Sequence, residues 1–129
     1  MNTQITEDYV SFEVAKLLKE KGFSEPTCGF YHNDYIGTLL VPGPSNHNGS
    51  INSVSAPSQA HAMKWLREVN HIFIEIDYVV LTKTFFEYTY EIHNMCKGRS
   101  IAISEFRDNY ETYEDACEAA IKYCLENLI

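Results

Sequence analysis

"APSQAHAMKWLREVNHIFIEI", residues 56–76, decides the fold, because the hydrophobic period changes inside it. Ala62, Met63, Leu66 and Val69 recur at helical spacing, and Ile72, Ile74 and Ile76 then alternate at the spacing of a strand. Pro57 punctuates the start and Ser58 suits a helix cap, so a helix is predicted from about Gln59 to Val69. Asn70 suits a left-handed helix end. In the strand that follows, Ile72, Ile74, Ile76 and Tyr78 face one side, and Phe73, Glu75 and Asp77 the other.

Working outward, "FFEYTYEIH" (85–93) repeats the alternation. Phe86, Tyr88, Tyr90 and Ile92 oppose Glu87, Thr89, Glu91 and His93. "KGRS" turns the chain into a third strand, "IAIS" (101–104), which gives an antiparallel meander with one buried face. The closing "TYEDACEAAIKYCLENLI" (112–129) reads as a helix capped by Thr112, with Ala116, Cys117, Ala120, Cys124 and Leu128 on its inner stripe.

Towards the N-terminus, "DYVSFEVAKLLKEKGF" (8–23) reads as a helix with the apolar stripe Val10, Val14, Leu17 and Leu18. Gly22 supplies a left-handed end, and Phe23 folds back on Leu18. "TCGFYH" (27–32) and "GTLLV" (37–41) form a hairpin. "PGPSNHNGSINSVSAP" (42–57) has only Ile51 and Val54 as large aliphatics and is expected to be a long mobile loop. The expectation is one α+β domain over residues 1–129, in the order αββαβββα: a hairpin plus a three-stranded meander, mainly antiparallel, with three helices.

Composition narrows the function. Of the 129 residues, 45% are hydrophobic and 22% charged, as in ordinary globular chains. Ten basic against 18 acidic residues give a formal charge of −8. The densest basic group is Lys16, Lys19 and Lys21, too sparse for a phosphate-binding patch, so nucleic acid is disfavoured as a partner. No apolar run is long enough for a membrane span, and no export signal opens the chain, so a cytoplasmic location is expected. Cys28, Cys96, Cys117 and Cys124 have no C-x-x-C spacing and read as buried free thiols, with Cys117 and Cys124 on one helix face.

"PSQAHAMKWLRE" (57–68) with "IFIEI" after it, "YETYEDACEAAIKYCL" (110–125) and "YVSFEVAKLLKEKGF" (9–23) together resemble short uncharacterised proteins of gut anaerobic bacteria and of their bacteriophages and mobile elements. The resemblance implies a small phage-type accessory protein, and it brings no activity, cofactor or site residue. The 42–57 segment and the tyrosine-rich middle lie outside it.

Chemistry-bearing residues are few. His61 and His71 lack the i, i+4 spacing of zinc ligands on a helix, and His61 with Trp65 reads as a surface pair. No metal site and no cofactor is expected. Glu75, Asp77, Glu87 and Glu91 share the outward face of two strands. That face reads as a solvated surface, and its carboxylates are the weak candidates for a divalent cation or for paired acids. Cys28 and His32 are four apart in an extended run, about 13 Å, too far for a thiolate–imidazolium pair. No nucleophile or phosphate-loop motif occurs. Nine tyrosines and seven phenylalanines exceed what one sheet face can hide, so Phe73, Phe85, Tyr31, Tyr35, Trp65 and His61 are the interface candidates. The function expected is a non-enzymatic binding or interaction module acting as a homo-oligomer, with a host protein or small ligand as target. The alternatives are a small metal-dependent hydrolase on the acidic strand face, or a nucleic-acid modulator.

Overall fold

The computed structural model describes residues 5–35, 37–104 and 109–129. The class is α+β, with three helices and two three-stranded antiparallel sheets among the described residues. The chain forms two compact units, Met1–Ala60 and His61–Ile129.

The first unit opens with helix α1, Phe12–Glu20, capped by Ser11, whose hydroxyl accepts from the Val14 N–H at 3.2 Å. The helix buries Val14, Ala15 and Leu18. It ends as the sequence predicts. Gly22 takes φ +90°, and the Phe23 N–H reaches back to the Leu18 carbonyl at 3.0 Å. Strand β1, Gly29–His32, pairs with β2, Leu39–Leu40, through Phe30↔Leu40 and Tyr31↔Leu39. Gly29 permits a close approach here, since an added Cβ would lie 3.1 Å from the Ala56 carbonyl oxygen.

The departure from expectation is strand β3, Ser53–Ala56, inside the stretch read as loop. It pairs along the other edge of β1 from Gly29↔Ala56 to His32↔Ser53, and α1 packs on it. All four of its residues are buried. Two of them are serines, which is why counting apolar residues misses the strand. Ser53 Oγ donates to the His47 carbonyl at 2.6 Å, and Ser55 Oγ accepts from the His47 N–H at 2.9 Å, so the buried hydroxyls are satisfied.

The polar run before β3 is tied down in the same way. Asn48 Nδ2 donates to the Phe23 carbonyl at 2.7 Å, while its Oδ1 accepts from the Ser55 N–H at 2.7 Å. Lys19 Nζ donates to the carbonyls of Ser50 and Ser53 at 2.6 and 2.9 Å. The His47 ring stacks on Phe30 with centroids 4.4 Å apart. Thr27 and Ser45 exchange two backbone hydrogen bonds. The expected loop of 42–57 is therefore a pinned excursion that ends in a buried strand.

Helix α2, Gln59–Asn70, which belongs to the second unit from His61 onward, runs one residue past its expected end. The left-handed residue is His71, at φ +56°, in place of Asn70. Ala62, Trp65 and Leu66 are buried, whereas Val69, expected on the inner stripe, is exposed. Strands β4 (Ile72–Val80), β5 (Phe86–Asn94) and β6 (Arg99–Ile103) form the meander, in register from Ile72↔Asn94 to Val80↔Phe86. Helix α3, Tyr113–Asn127, packs on β4 and β5, and Thr112 Oγ1 caps it by accepting from the Asp115 N–H at 3.0 Å. Ile74 and Ile92 sit opposite each other on the inner face. Ala116, Cys117, Ala120, Ile121, Cys124 and Leu125 form the buried face of α3.

Asn48 bridges the buried Ser55 N–H and the Phe23 carbonyl. Asn48→Ala is expected to lower unfolding stability by about 2 kcal/mol, the cost of two lost hydrogen bonds with one buried donor left bare. A chemical-denaturation midpoint unchanged from that of the parent chain would contradict this.

Candidate functional site

The meander's hairpin is longer than the helix that covers it. Nine residues per strand span roughly 30 Å at extended rise. The fifteen residues of α3 span roughly 22 Å. The coverage fails at the turn end. Along β4 the inner face begins buried at Ile72 and Ile74, is half-buried at Ile76, and is exposed by Tyr78 and Val80. Tyr78 and Val80 are 61% and 60% exposed, and Val79, Leu81, Phe85 and Phe86 are exposed beside them. Tyr78 and Phe86 meet edge to face with centroids 6.2 Å apart. The turn itself, Thr82–Thr84, contributes one charge, Lys83. The result is an apolar hairpin end that no other described part of the second unit covers.

One edge of this arm is open as well. β5 is paired on both sides: with β4 along its length, with β6 at one end, and with Tyr110 through two backbone bonds to Tyr88 at 2.7 and 2.8 Å. β4 has β5 on one side and, among the described residues, no backbone partner on the other. Such an edge is a template for another strand.

The outward face of the same sheet carries the acidic candidates. Glu75 and Glu91 are direct cross-strand partners. His93, two residues on from Glu91 and on the same face, places Nε2 3.1 Å from Glu75 Oε2 and 3.9 Å from Glu91 Oε2. The three donor atoms lie within 4.8 Å of one another. Two carboxylates placed face to face repel, and the strand register brings these two together with the His93 ring beside them. Asp77 is not part of this group: its Oδ1 accepts from the Tyr78 N–H at 2.8 Å. Glu87 stands opposite Val79, further toward the turn. The sequence reading thus names two of the three clustered residues and misses His93, although its spacing from Glu91 is the signal. All three side chains are open to water. The group offers ligands for a cation, but no carboxyl held out of water, as paired-acid catalysis requires.

The remaining candidates separate. Tyr31 is a core residue, its hydroxyl donating to the Val10 carbonyl at 2.8 Å and its ring edge-on to Phe12. Trp65 is buried too, and the expected His61–Trp65 surface pair therefore has no surface indole; His61 is half-buried. Tyr35 is exposed on the short turn after β1. Phe73 and Phe85 are both exposed but not together. Phe73 begins β4 beside the His93 ring, whereas Phe85 stands at the far turn. His32 Nδ1 accepts from the Asp34 N–H at 3.1 Å, with no thiol beside it.

All four cysteines are free. Cys117 and Cys124 are buried as expected, while Cys28 and Cys96 are exposed, because each sits in irregular chain at a strand end instead of inside an element. Burial pushes the Cys124 thiol up to about 12. A thiol reagent is expected to label two sites rapidly in the native chain and four after denaturation; four rapid sites would show that the buried face of α3 is open. Dialysed protein is expected to hold well under one zinc per chain, since three water-exposed ligands form a weak site; elemental analysis returning one zinc would overturn this. The chain matches no protein-family model, no curated protein and no solved structure.

Proposed function

We propose that the chain is a non-enzymatic interaction module that associates with a second copy of itself through the turn end and open edge of the β4–β5 hairpin. The observation that carries this is the run of exposed apolar side chains on both faces of that end: Tyr78, Val79, Val80, Leu81, Phe85 and Phe86. Soluble chains seldom leave contiguous apolar patches uncovered. Aromatic residues fill interface cores.

A second copy suits this end for two reasons. Antiparallel pairing of β4 with its twin, centred near Val79, sets Tyr78 against the partner's Val80 and keeps Glu75 away from its own image. Two-fold closure of this kind also covers the turn end of both open edges at once. Burying a Tyr or Phe contributes roughly 1.5–3 kcal/mol each, so several from each copy offset an association cost of about 4–15 kcal/mol. The charge of −8 on each copy opposes the pairing, but at moderate salt repulsion is screened beyond about 8–10 Å. The hairpin turn carries a single lysine and no acid.

Light scattering at high micromolar concentration is expected to return twice the chain mass. Val80→Glu and Phe85→Glu are expected to return one chain mass with little change in melting, because both side chains are already exposed in the single chain. Phe73→Glu, at the opposite end of β4, is expected to leave the dimer intact. A monomer at all concentrations would end the proposal. A dimer insensitive to the Val80 and Phe85 changes would move the interface elsewhere.

A further inference from the structure

The first unit holds a groove of about 630 Å³ that plays no part in the hairpin association. That volume falls within the roughly 300–1,000 Å³ of small-molecule sites. One wall is the second face of α1. Phe12, Lys16, Lys19 and Glu20 recur at i, i+4, i+7 and i+8, while Val14, Ala15 and Leu18 face the core. The opposite wall is Val54 of β3 with Ile51 and Asn33.

This wall is built before any ligand arrives. Lys19 Nζ holds the carbonyls of Ser50 and Ser53. Asn33 holds the same segment twice, with Nδ2 donating to the Ile51 carbonyl at 3.1 Å and its backbone N–H to the Asn52 carbonyl at 2.8 Å. Preorganisation of this kind lowers the cost of binding. Ile51 lines the groove and is nevertheless 86% exposed. Its side chain, with no cover in the free chain, is an apolar surface for a ligand to bury.

The charges select the head group. An ammonium has three donors, and Lys19 commits two to carbonyls, which leaves one N–H. Lys16 makes no ion pair or hydrogen bond among the described residues, although Glu20 stands one helical turn away. Two cations against one carboxylate leave a single positive charge in a chain of net −8. Phe12, Val54 and Ile51 supply the apolar lining. We propose that this groove binds a small amphipathic monocarboxylate, its head on Lys16 and the free N–H of Lys19, its apolar body against Phe12, Val54 and Ile51.

The test uses the full chain, isotope-labelled, titrated separately with octanoate, octylamine and 1-octanol and followed by amide resonances. Octanoate is expected to shift resonances of α1 and of residues 50–54. Octylamine is expected to produce no saturable shift, and 1-octanol to bind about tenfold more weakly or less, the contribution of one charge-assisted bond. Lys16→Gln is expected to weaken octanoate about tenfold and leave 1-octanol unchanged; because Lys16 holds no structural bond, the melting temperature serves as the control for folding. Phe12→Ala is expected to weaken both. The proposal is overturned if octanoate shows no saturable binding at millimolar concentration, if octylamine binds equally well, or if Lys16→Gln leaves octanoate affinity unchanged at an unchanged melting temperature.

Discussion

A buried backbone segment must find partners for its N–H and C=O groups, and in the first unit this requirement is met by side chains. The stretch from Pro42 to Pro57 has too little apolar material to hold itself by hydrophobic burial. It is held by Asn48 between Phe23 and Ser55, by two serine hydroxyls on His47, and by Lys19 across two carbonyls. Everything else in the unit follows from that fixing. β3 can lie along β1 only because the chain before it is anchored, and α1 has a sheet edge to pack on only because β3 is there. The groove wall opposite Lys16 is the same anchored chain seen from outside.

The second unit obeys a simpler rule, the match of lengths between a helix and the sheet it covers. Where α3 lies across β4 and β5, Ile72, Ile74 and Ile92 are buried, and half-buried Tyr88 meets Tyr113 at the start of the helix edge to face. Past its reach, the alternating pattern continues unchanged through Tyr78, Val80 and Phe86, and the same residue types face water. The pattern that makes a strand amphipathic carries no information on how far its cover extends. That is why one sequence signature gives core at one end of the hairpin and an exposed apolar surface at the other.

This difference also explains how much was legible in the sequence. The isoleucine alternation places β4 within its observed bounds, and Thr112 starts its helix and Gly22 ends its own as read, because periodicity and caps are local properties. β3 was not legible, since Ser-Val-Ser-Ala looks polar until the partners of its hydroxyls are known, and these lie in another segment. Tyr31 was expected at the surface on a count of aromatics and Trp65 as a surface partner of His61, and neither a count nor a spacing says which rings the core takes. The left-handed turn at His71 defied the preference of Asn70 by one position, because β4 must begin with Ile72 facing inward. Of the outward cluster, Glu75 and Glu91 were visible from strand alternation, but their direct opposition and the approach of His93 depend on register.

The clamp at Asn48 also bears on how the molecule ages. Asn48 precedes Gly49, and an asparagine side-chain amide followed by the least hindered residue is chemically labile. Loss of ammonia would turn Nδ2, the donor to the Phe23 carbonyl, into a carboxylate oxygen that can only accept. Two acceptors would then face each other 2.7 Å apart at the anchor point of the first unit. While the chain is folded, both ends of the amide are held by hydrogen bonds and the group cannot swing freely toward its neighbour's nitrogen. The residue that fixes the segment is in turn protected by being fixed, so each unfolding excursion exposes the chain to a change that makes the next excursion easier.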